Sequence, residues 1–163
     1  MLFRSYLENL HAPLPCQYTN LCAVCQAQLR IMKVRYPKPG IVYKGAIPVA
    51  EIALNTSDKY LTILISALLG NAYKFTQEGT ISLECDRLGD DRVFVAVADT
   101  GCGIPPEKHG YVFERFTKLD PFSQGNGLGL YLCRLIVTHL HGEIYIDSGY
   151  TGGTRIVAIL PRR

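Results

Sequence analysis

Three glycines at alternate positions, Gly125, Gly127 and Gly129, lie in the stretch SQGNGLGLYL and lead into an apolar segment. Glycine lets the backbone approach an anion closely, and a helix that begins after such a loop offers free amides to a phosphate. The spacing fits neither the dinucleotide-binding pattern G-x-G-x-x-G nor the P-loop, because no Gly-Lys-Ser/Thr follows. Alone, the loop predicts either a phosphate site or a flexible turn that caps a helix.

Two polar residues in LLGNAYKFT, Asn71 and Lys74, also have types suited to a nucleotide. Three apart, they share one helix face and offer a neutral oxygen ligand for a hard cation and a point charge for phosphate. An Asn inside a helix is otherwise often a structural polar residue, and a Lys near a helix end is usually solvated. The pair suits Mg-ATP, and the alternatives of a structural Asn and a solvated Lys stay open.

A carboxylate, Asp99, ends an apolar strand pattern and is followed by Gly101 and Gly103 in DTGCG. From the residues alone it is a turn aspartate at the rim of a pocket with free backbone beside it. The long stretch from Thr100 to Asn126 then has little periodicity. A loop of that length in a compact domain is usually functional, so we expect a lid.

The elements that must position these residues are helices and strands. Apolar spacing predicts helices over Thr19–Arg35, from an N-cap at Asp58 to Phe75, and over Leu128–Leu140. Strands are predicted in GIVYKGA, VAEIALN, TISLECD, RVFVAVAD, GEIYIDSG and GTRIVAILP, with the third and fourth joined as a hairpin. The expected fold class is α+β: a two-layer sandwich with three main helices packed on one face of a mixed, largely antiparallel sheet.

The composition excludes several function classes. The 163 residues, 48% hydrophobic and 19% charged, fit one globular domain. The net charge of +3 is scattered, so no nucleic-acid surface is expected, and the apolar run Leu61–Leu69 is too short to span a bilayer. The six cysteines are read as reduced, and Cys22 and Cys25 as part of a helix face rather than a metal site, because no second C-x-x-C accompanies them.

Five stretches, in this order, resemble the boxes of the ATP-binding domain of bacterial sensor histidine kinases: LLGNAYKFT, DTGCGIPP, FERF, GNGLGL and TGGT. The resemblance covers about Leu21 to Pro161, and five ordered motifs are far more specific than any one. It implies the Bergerat fold of the GHKL proteins, with an ATP lid. It also implies a catalytic domain over residues 19–163, preceded in residues 1–18 by a linker or the remnant of a helical domain.

The resemblance further assigns roles. Asn71 is expected to hold magnesium and Lys74 to touch the phosphates, Asp99 to accept a hydrogen bond from the adenine amino group, and Thr154 to support Asp99. FERF, Phe113–Phe116, is expected to root the lid, and by its spacing also to anchor it in the core. The implied ATP contacts are Asn71, Lys74, Phe75, Asp99, Gly101, Gly103, Ile104, Lys118, Gly125, Gly127, Leu128, Gly129, Leu130 and Thr154.

One position departs from the family pattern. Four residues before Asn71 the family usually carries Asn or His, and related ATPases and serine kinases of this fold carry a glutamate base; this chain has Ala67. Alanine cannot take a proton, which disfavours water activation or serine phosphorylation. A neutral imidazole is already a nucleophile and needs less help, so transfer to histidine stays compatible with Ala67.

The function expected from the sequence is binding of Mg-ATP and donation of the γ-phosphoryl group to a histidine on a dimerisation domain absent from this chain. None of the four histidines fits an acceptor box. The alternatives are a degenerate nucleotide-binding module and, less favoured, a serine kinase or ATPase. The expected partners are that helical domain and, indirectly, a response regulator, with no nucleic acid and no direct membrane contact, in the cytoplasmic part of a membrane-anchored sensor.

Overall fold

The computed structural model describes residues 16–110, 112–114 and 129–163. In this part of the chain, three α-helices and one short 3-10 helix accompany seven strands. The strands are β1 (Gln17–Asn20), β2 (Ile41–Ala46), β3 (Ala53–Thr56), β4 (Gly79–Leu88), β5 (Arg92–Asp99), β6 (Glu143–Ile146) and β7 (Thr154–Pro161). The helices are α1 (Leu21–Arg35), α2 (Asp58–Phe75) and α3 (Gly129–His139), and the 3-10 helix covers Pro106–Lys108.

Five strands form the main sheet, in the order β2-β4-β5-β7-β6. Only the β2–β4 pair is parallel among the described strands, and β4 and β5 form a hairpin whose last pair is Leu88 with Arg92. The predicted mixed, largely antiparallel sheet is therefore confirmed. Strands β1 and β3 pair with each other in a separate two-stranded sheet, of which the sequence predicted only β3.

All three helices cover one face of the main sheet, as predicted. Alternate residues of the central strands point into this layer, for example Leu83 of β4, Val95 of β5 and Ala158 of β7. Helix α2 is the most buried, since Leu61, Leu64, Ile65, Leu68 and Leu69 are each at most 1% exposed. Burial of one such side chain contributes about 1.5–3 kcal/mol, so α2 is fixed firmly against the sheet.

Two helix starts differ from the prediction. Helix α2 is capped by Ser57, whose extended backbone lets Oγ accept a hydrogen bond from the Tyr60 amide at 3.3 Å, and Asp58 is the first helical residue. Helix α1 begins at Leu21 rather than Thr19, because Thr19 pairs within the β1–β3 sheet and the Asn20 side chain caps the helix. In both cases a short polar side chain caps the N-terminus of the helix, and the helix starts one or two residues from the predicted position.

Three thiols meet between α1 and β4. Cys22 and Cys25 are buried on α1 and face the buried Cys85 of β4, and the Cys22 thiol donates to the Ala50 carbonyl oxygen at 3.4 Å. Burial, reinforced by the neighbouring Cys85, raises the pKa of Cys22 to about 11, so this thiol stays protonated at neutral pH. This environment agrees with the interpretation of the C-x-x-C as part of a helix face that packs in the core.

The sheet face turned away from the helices is called the outer face here. It carries a small apolar cluster around Ala96, Val157 and Ile159. Beside this cluster Arg155 forms ion pairs with Glu84 and Asp147, each at 2.9 Å. Within the described residues no helix has both the length and the apolar character needed to cross a bilayer.

The cap assignment predicts how two neighbouring substitutions rank. Ser57→Ala removes the bonded oxygen and should lower the free energy of unfolding by about 1 kcal/mol. Asp58→Ala removes only a favourable charge in the first turn and should cost about 0.5 kcal/mol. Urea denaturation of both variants measures which substitution lowers the free energy of unfolding more. A larger loss for Asp58→Ala would show that Asp58, and not Ser57, is the N-cap.

Candidate nucleotide-binding site

Asp99 is the centre of the site. It continues the alternation of Val93, Val95 and Val97, so its side chain points toward the helix layer, and it is only 4% exposed. Its Oδ1 accepts hydrogen bonds from the Gly101 amide at 2.9 Å and, more weakly, the Thr154 amide at 3.4 Å. Within the described residues Oδ2 accepts no hydrogen bond. One oxygen is thus fixed by the protein while the other remains available to a ligand.

The electrostatics of Asp99 follow from this burial. Loss of hydration disfavours the carboxylate and raises the pKa of Asp99, and the two amide hydrogen bonds oppose part of that increase. A carboxylate with an available oxygen in such a place is well suited to recognise a neutral hydrogen-bond donor of a ligand.

The glycines after Asp99 allow close backbone packing. A Cβ on Gly101 would overlap the carbonyl oxygen of Phe75, the last residue of α2, and Gly103 has a left-handed φ of 76°. The β5 end therefore lies directly against the C-terminal end of α2. Beside it is an open cleft of about 450 Å³, lined by Gly101, Cys102, Gly103, Ile104, Pro105, Gly152 and Gly153.

The last turns of α2 carry the predicted cation and phosphate ligands. Asn71 is half-buried, and its amide has no hydrogen-bond partner among the described residues. Lys74 is exposed, with Nζ 5.3 Å from the centroid of the Phe75 ring. Ala67 lies one turn earlier and packs against the core, where it supplies no polar group. Both polar side chains are free to meet a ligand at this end of the helix.

The start of α3 supplies the other predicted contacts. Gly129 is the first described residue of α3, and the amides of a first helical turn have no partner within the helix, while Leu130 is buried. Gly125, Gly127 and Leu128 of the same loop lie outside the described residues, as does Lys118.

The start of the predicted lid is folded against the domain. The imidazole Nε2 of His109 donates to the carbonyl oxygen of Ile104 at 2.8 Å, and the 3-10 helix lies between these two residues. Val112 and Phe113 then enter the main core. The expected anchoring by the FERF segment holds for Phe113, while Phe116 lies outside the described residues.

Two contacts at Asp99 were missed by the sequence analysis. The hydroxyl of Tyr150 donates to the Asp99 carbonyl oxygen at 3.1 Å. Gly153 packs so closely that a Cβ there would overlap the same oxygen. The glycine box TGGT could have indicated Gly153, but nothing in the sequence marks a single tyrosine in a turn. The support from Thr154 also differs in detail, because its backbone amide makes the contact.

Comparison with known proteins agrees with this geometry. The model of the histidine kinase-, DNA gyrase B- and HSP90-like ATPase family matches residues 56–163. The chain belongs to this ATPase family. The match includes Asn71, Lys74, Asp99 and Thr154, the residues that the fold brings to one end of the sheet.

Curated relatives of this family are sensor kinases. The chain is 32% identical over 159 residues to the adaptive-response sensory kinase SasA of Gloeothece citriformis, covering 94% of the chain and 40% of SasA. It is 36% identical over 118 residues to the sensor histidine kinase RcsC of Escherichia coli, covering 70% of the chain and 12% of RcsC. The chain thus spans less than half the length of these relatives.

Solved structures confirm the fold. Full-length ShkA superposes with a TM-score of 0.82 at 24% identity, over 96% of this chain and 34% of ShkA. The mycobacterial sensor histidine kinase MprB gives 0.77 at 24% identity, over 91% of this chain and 98% of that one. The predicted two-layer α+β fold of the ATP-binding domain is confirmed.

The raised pKa of Asp99 predicts a pH effect on stability. A raised folded-state pKa means that the native state binds this proton more tightly than the unfolded chain, whose aspartate titrates near 3.9. Stability should therefore rise as the pH falls through the folded-state pKa, by about 1.4 kcal/mol for each unit of elevation. Asp99→Asn lacks this titration.

Denaturation of the wild type and Asp99→Asn between about pH 4 and 7 measures the difference. The exposed Asp91→Asn corrects for loss of one negative charge. A wild type that does not gain stability relative to Asp99→Asn on acidification would contradict the assignment.

Proposed function

We propose that this domain binds Mg-ATP and donates the γ-phosphoryl group to a histidine on a helical phosphoacceptor domain outside this chain. The observation that carries the proposal is Asp99, buried at the rim of a cleft with Oδ1 bonded to two amides and Oδ2 available. Adenine presents an amino donor where guanine presents a carbonyl oxygen, so a fixed carboxylate there selects adenine. Membership of the ATPase family supports this ligand, and ShkA was solved in complex with AMPPNP.

The neighbouring residues divide the remaining contacts. Phe75 and Ile104 give the base an apolar surface, and the Gly101 and Gly103 backbone allows its close approach. The phosphates lie toward Lys74 and the amides at the start of α3, where the helix dipole favours negative charge. The proposed lid contacts are Lys118, Gly125, Gly127, Leu128, Gly129 and Leu130.

Asn71 fits a magnesium site. Its half-buried amide oxygen has no partner among the described residues, and Mg²⁺ prefers a few protein oxygens together with phosphate oxygens and water. When bound, the ion offsets the charge that develops on the transferred group. In this proposal Asn71 supplies the protein ligand and Lys74 adds a positive charge on the same helix face.

The transfer step needs little acid–base chemistry from this chain. A nitrogen lone pair of the acceptor imidazole forms the P–N bond while the bond from the γ-phosphorus to the bridging oxygen breaks, and ADP leaves with that electron pair. The neutral imidazole needs no prior deprotonation, so the proposed step requires no base at the position of Ala67. The chain contributes orientation and positive charge.

The proposal extends to the longer protein. SasA and RcsC, which are named sensory and histidine kinases, are much longer than this chain. We propose that residues 1–18 lead from the phosphoacceptor domain, with Gln17 and Tyr18 already paired to β3. The phosphoryl group then passes to a response regulator, and the domain works in the cytoplasm as part of a membrane-anchored sensor.

A second candidate is a nucleotide-binding module without transfer activity. Ala67 favours it, because the usual polar side chain beside Asn71 is missing and magnesium is held by fewer groups. The two candidates share nucleotide binding and differ only in the phosphorylated product.

Nucleotide binding is tested by titration calorimetry with a non-hydrolysable ATP analogue and Mg²⁺. Asp99→Asn should weaken binding about 10- to 100-fold, since it removes a hydrogen bond to a charged group. Asp91→Asn, in the exposed β4–β5 turn, should bind like the wild type. No binding by the wild type at millimolar analogue would end the proposal.

Transfer is tested by adding a phosphoacceptor domain from the longer gene product, joined or in trans, with labelled ATP. The wild type should yield acid-labile phosphohistidine, and Asn71→Ala and Lys74→Met should each lower the rate at least tenfold. Lys44→Met, an exposed lysine on β2, serves as the matched control. Binding without any phosphohistidine would favour the inactive module instead.

A further inference from the structure

We propose that Tyr150 is a positioning residue for base recognition: it fixes the peptide of Asp99 from the β6–β7 turn, and a charge network on the outer face holds that turn in place. This inference rests on the proposed reading of adenine by Asp99. The residues to which it assigns a role belong to none of the five sequence motifs, although some of them contact TGGT.

Tyr150 contacts the backbone of Asp99 where β5 ends. Asp99 and Thr154 are the last pair of the β5–β7 ladder, so the chain leaves the sheet at this point. The Tyr150 hydroxyl donates to the Asp99 carbonyl oxygen at 3.1 Å, and Gly153 packs against the same oxygen. These two contacts hold the carbonyl end of the peptide that follows Asp99, while the amide end of the same peptide, Thr100 N, donates to the Thr80 carbonyl oxygen of β4 at 3.2 Å.

Hydrogen bonds of Asp147 hold the turn that carries Tyr150. The Tyr150 amide donates to the Asp147 carbonyl oxygen at 3.2 Å, and the Gly149 amide donates to Asp147 Oδ1 at 3.0 Å. Asp147 also pairs with Arg155 twice, through its own amide to the Arg155 carbonyl oxygen at 2.8 Å and through Oδ2 to Nη1 at 2.9 Å. Asp147 therefore fixes both ends of this short turn.

An ion pair between Arg155 and Glu84 anchors the turn to the middle of the sheet. Arg155 Nη2 donates to Glu84 Oε1 at 2.9 Å, although β5 lies between the strands that carry these two residues. The side chains of β5 beside this bridge are Ala96 and Ala98, opposite Glu84 and Arg155 in the register. Their small size leaves the guanidinium room to cross the strand.

The consequence concerns geometry at Asp99 Oδ2. Hydrogen-bond strength falls steeply with misalignment, and Oδ1 is already committed to two amides. Without the Tyr150 contact the carbonyl end of the Asp99 peptide could rotate about its bond to Thr80, which would displace Oδ2 from the amino group of a bound adenine. Loss of this Tyr150–Asp99 hydrogen bond, called the tether here, should lower adenine-nucleotide affinity about three- to tenfold, the range of one hydrogen bond.

The same face provides matched controls. Tyr145 on β6 is 44% exposed, and its hydroxyl has no hydrogen-bond partner among the described residues. Arg92 and Glu143 form an exposed ion pair at 3.7 Å that does not involve the β6–β7 turn. Tyr145→Phe and Arg92→Gln thus remove the same chemical groups as Tyr150→Phe and Arg155→Gln without touching the tether.

The experiment compares ADP with IDP, which carries a carbonyl oxygen in place of the adenine amino group. Calorimetry on the whole chain should show that Tyr150→Phe weakens ADP three- to tenfold and leaves IDP nearly unchanged, so that the ADP/IDP preference falls. Arg155→Gln should act in the same direction. The double variant should lose less than the product of the two single losses, because both act through one contact. The two controls should keep the wild-type preference.

Several outcomes would overturn the inference. An unchanged ADP/IDP preference in Tyr150→Phe, or an equal loss for both nucleotides, would reduce Tyr150 to general support of the fold, which thermal unfolding would then register. If the two losses in ADP affinity multiply in the double variant, the charge network of Arg155 acts independently of the tether. A wild type that binds neither nucleotide, or both equally, would instead remove adenine recognition by Asp99 and this inference with it.

Discussion

Burial of the Asp99 carboxylate is the constraint on which the arrangement of this end of the molecule depends. A carboxylate with 4% exposure needs hydrogen-bond donors, and the Gly101 and Thr154 amides provide them only if β5 and β7 end together. That requirement fixes where the chain turns, which in turn fixes the contact of Gly101 with Phe75. The polar group that suits a ligand therefore also sets the chain path that brings the end of the central strand β5 against helix α2.

Helix α2 connects stability with the proposed chemistry. Its apolar residues lie in the centre of the helix layer, and its last turns carry Asn71 and Lys74. Because the helix is packed over most of its length, the backbone of its last turns has a fixed position. Only the outer atoms of the C-terminal side chains need to adjust to a ligand. A polar site at the end of a deeply buried helix loses little conformational entropy on binding.

Much of this arrangement could be predicted from the sequence, because it depends on periodicity. Helix α2 and the β4–β5 hairpin follow from apolar spacing, and the place of Asp99 at a strand end follows from the pattern of RVFVAVAD. The exact start of a helix was harder to predict, because neighbouring residues compete for the capping position. Ser57 and Asp58 are both good caps, and only the backbone conformation separates them.

Strand β1 and the tether at Asp99 depended on contacts between distant residues. Strand β1 is too short to show alternation and exists through its pairing with β3. Tyr150 contacts Asp99 across 51 positions of sequence, a separation over which no local pattern extends. Candidate site residues could thus be named from single motifs in the sequence, whereas the contacts that hold Asp99 in place could not.

The distribution of the cysteines has a practical consequence. Cys22, Cys25, Cys85 and Cys133 are buried, whereas Cys16 and Cys102 are exposed, and Cys102 lies in the wall of the cleft between two glycines. A thiol-directed fluorophore would therefore attach at two places only among the described cysteines, and Cys16→Ser would leave one. The native chain thus carries an attachment point for a reporter at the mouth of its own site, with no cysteine to introduce.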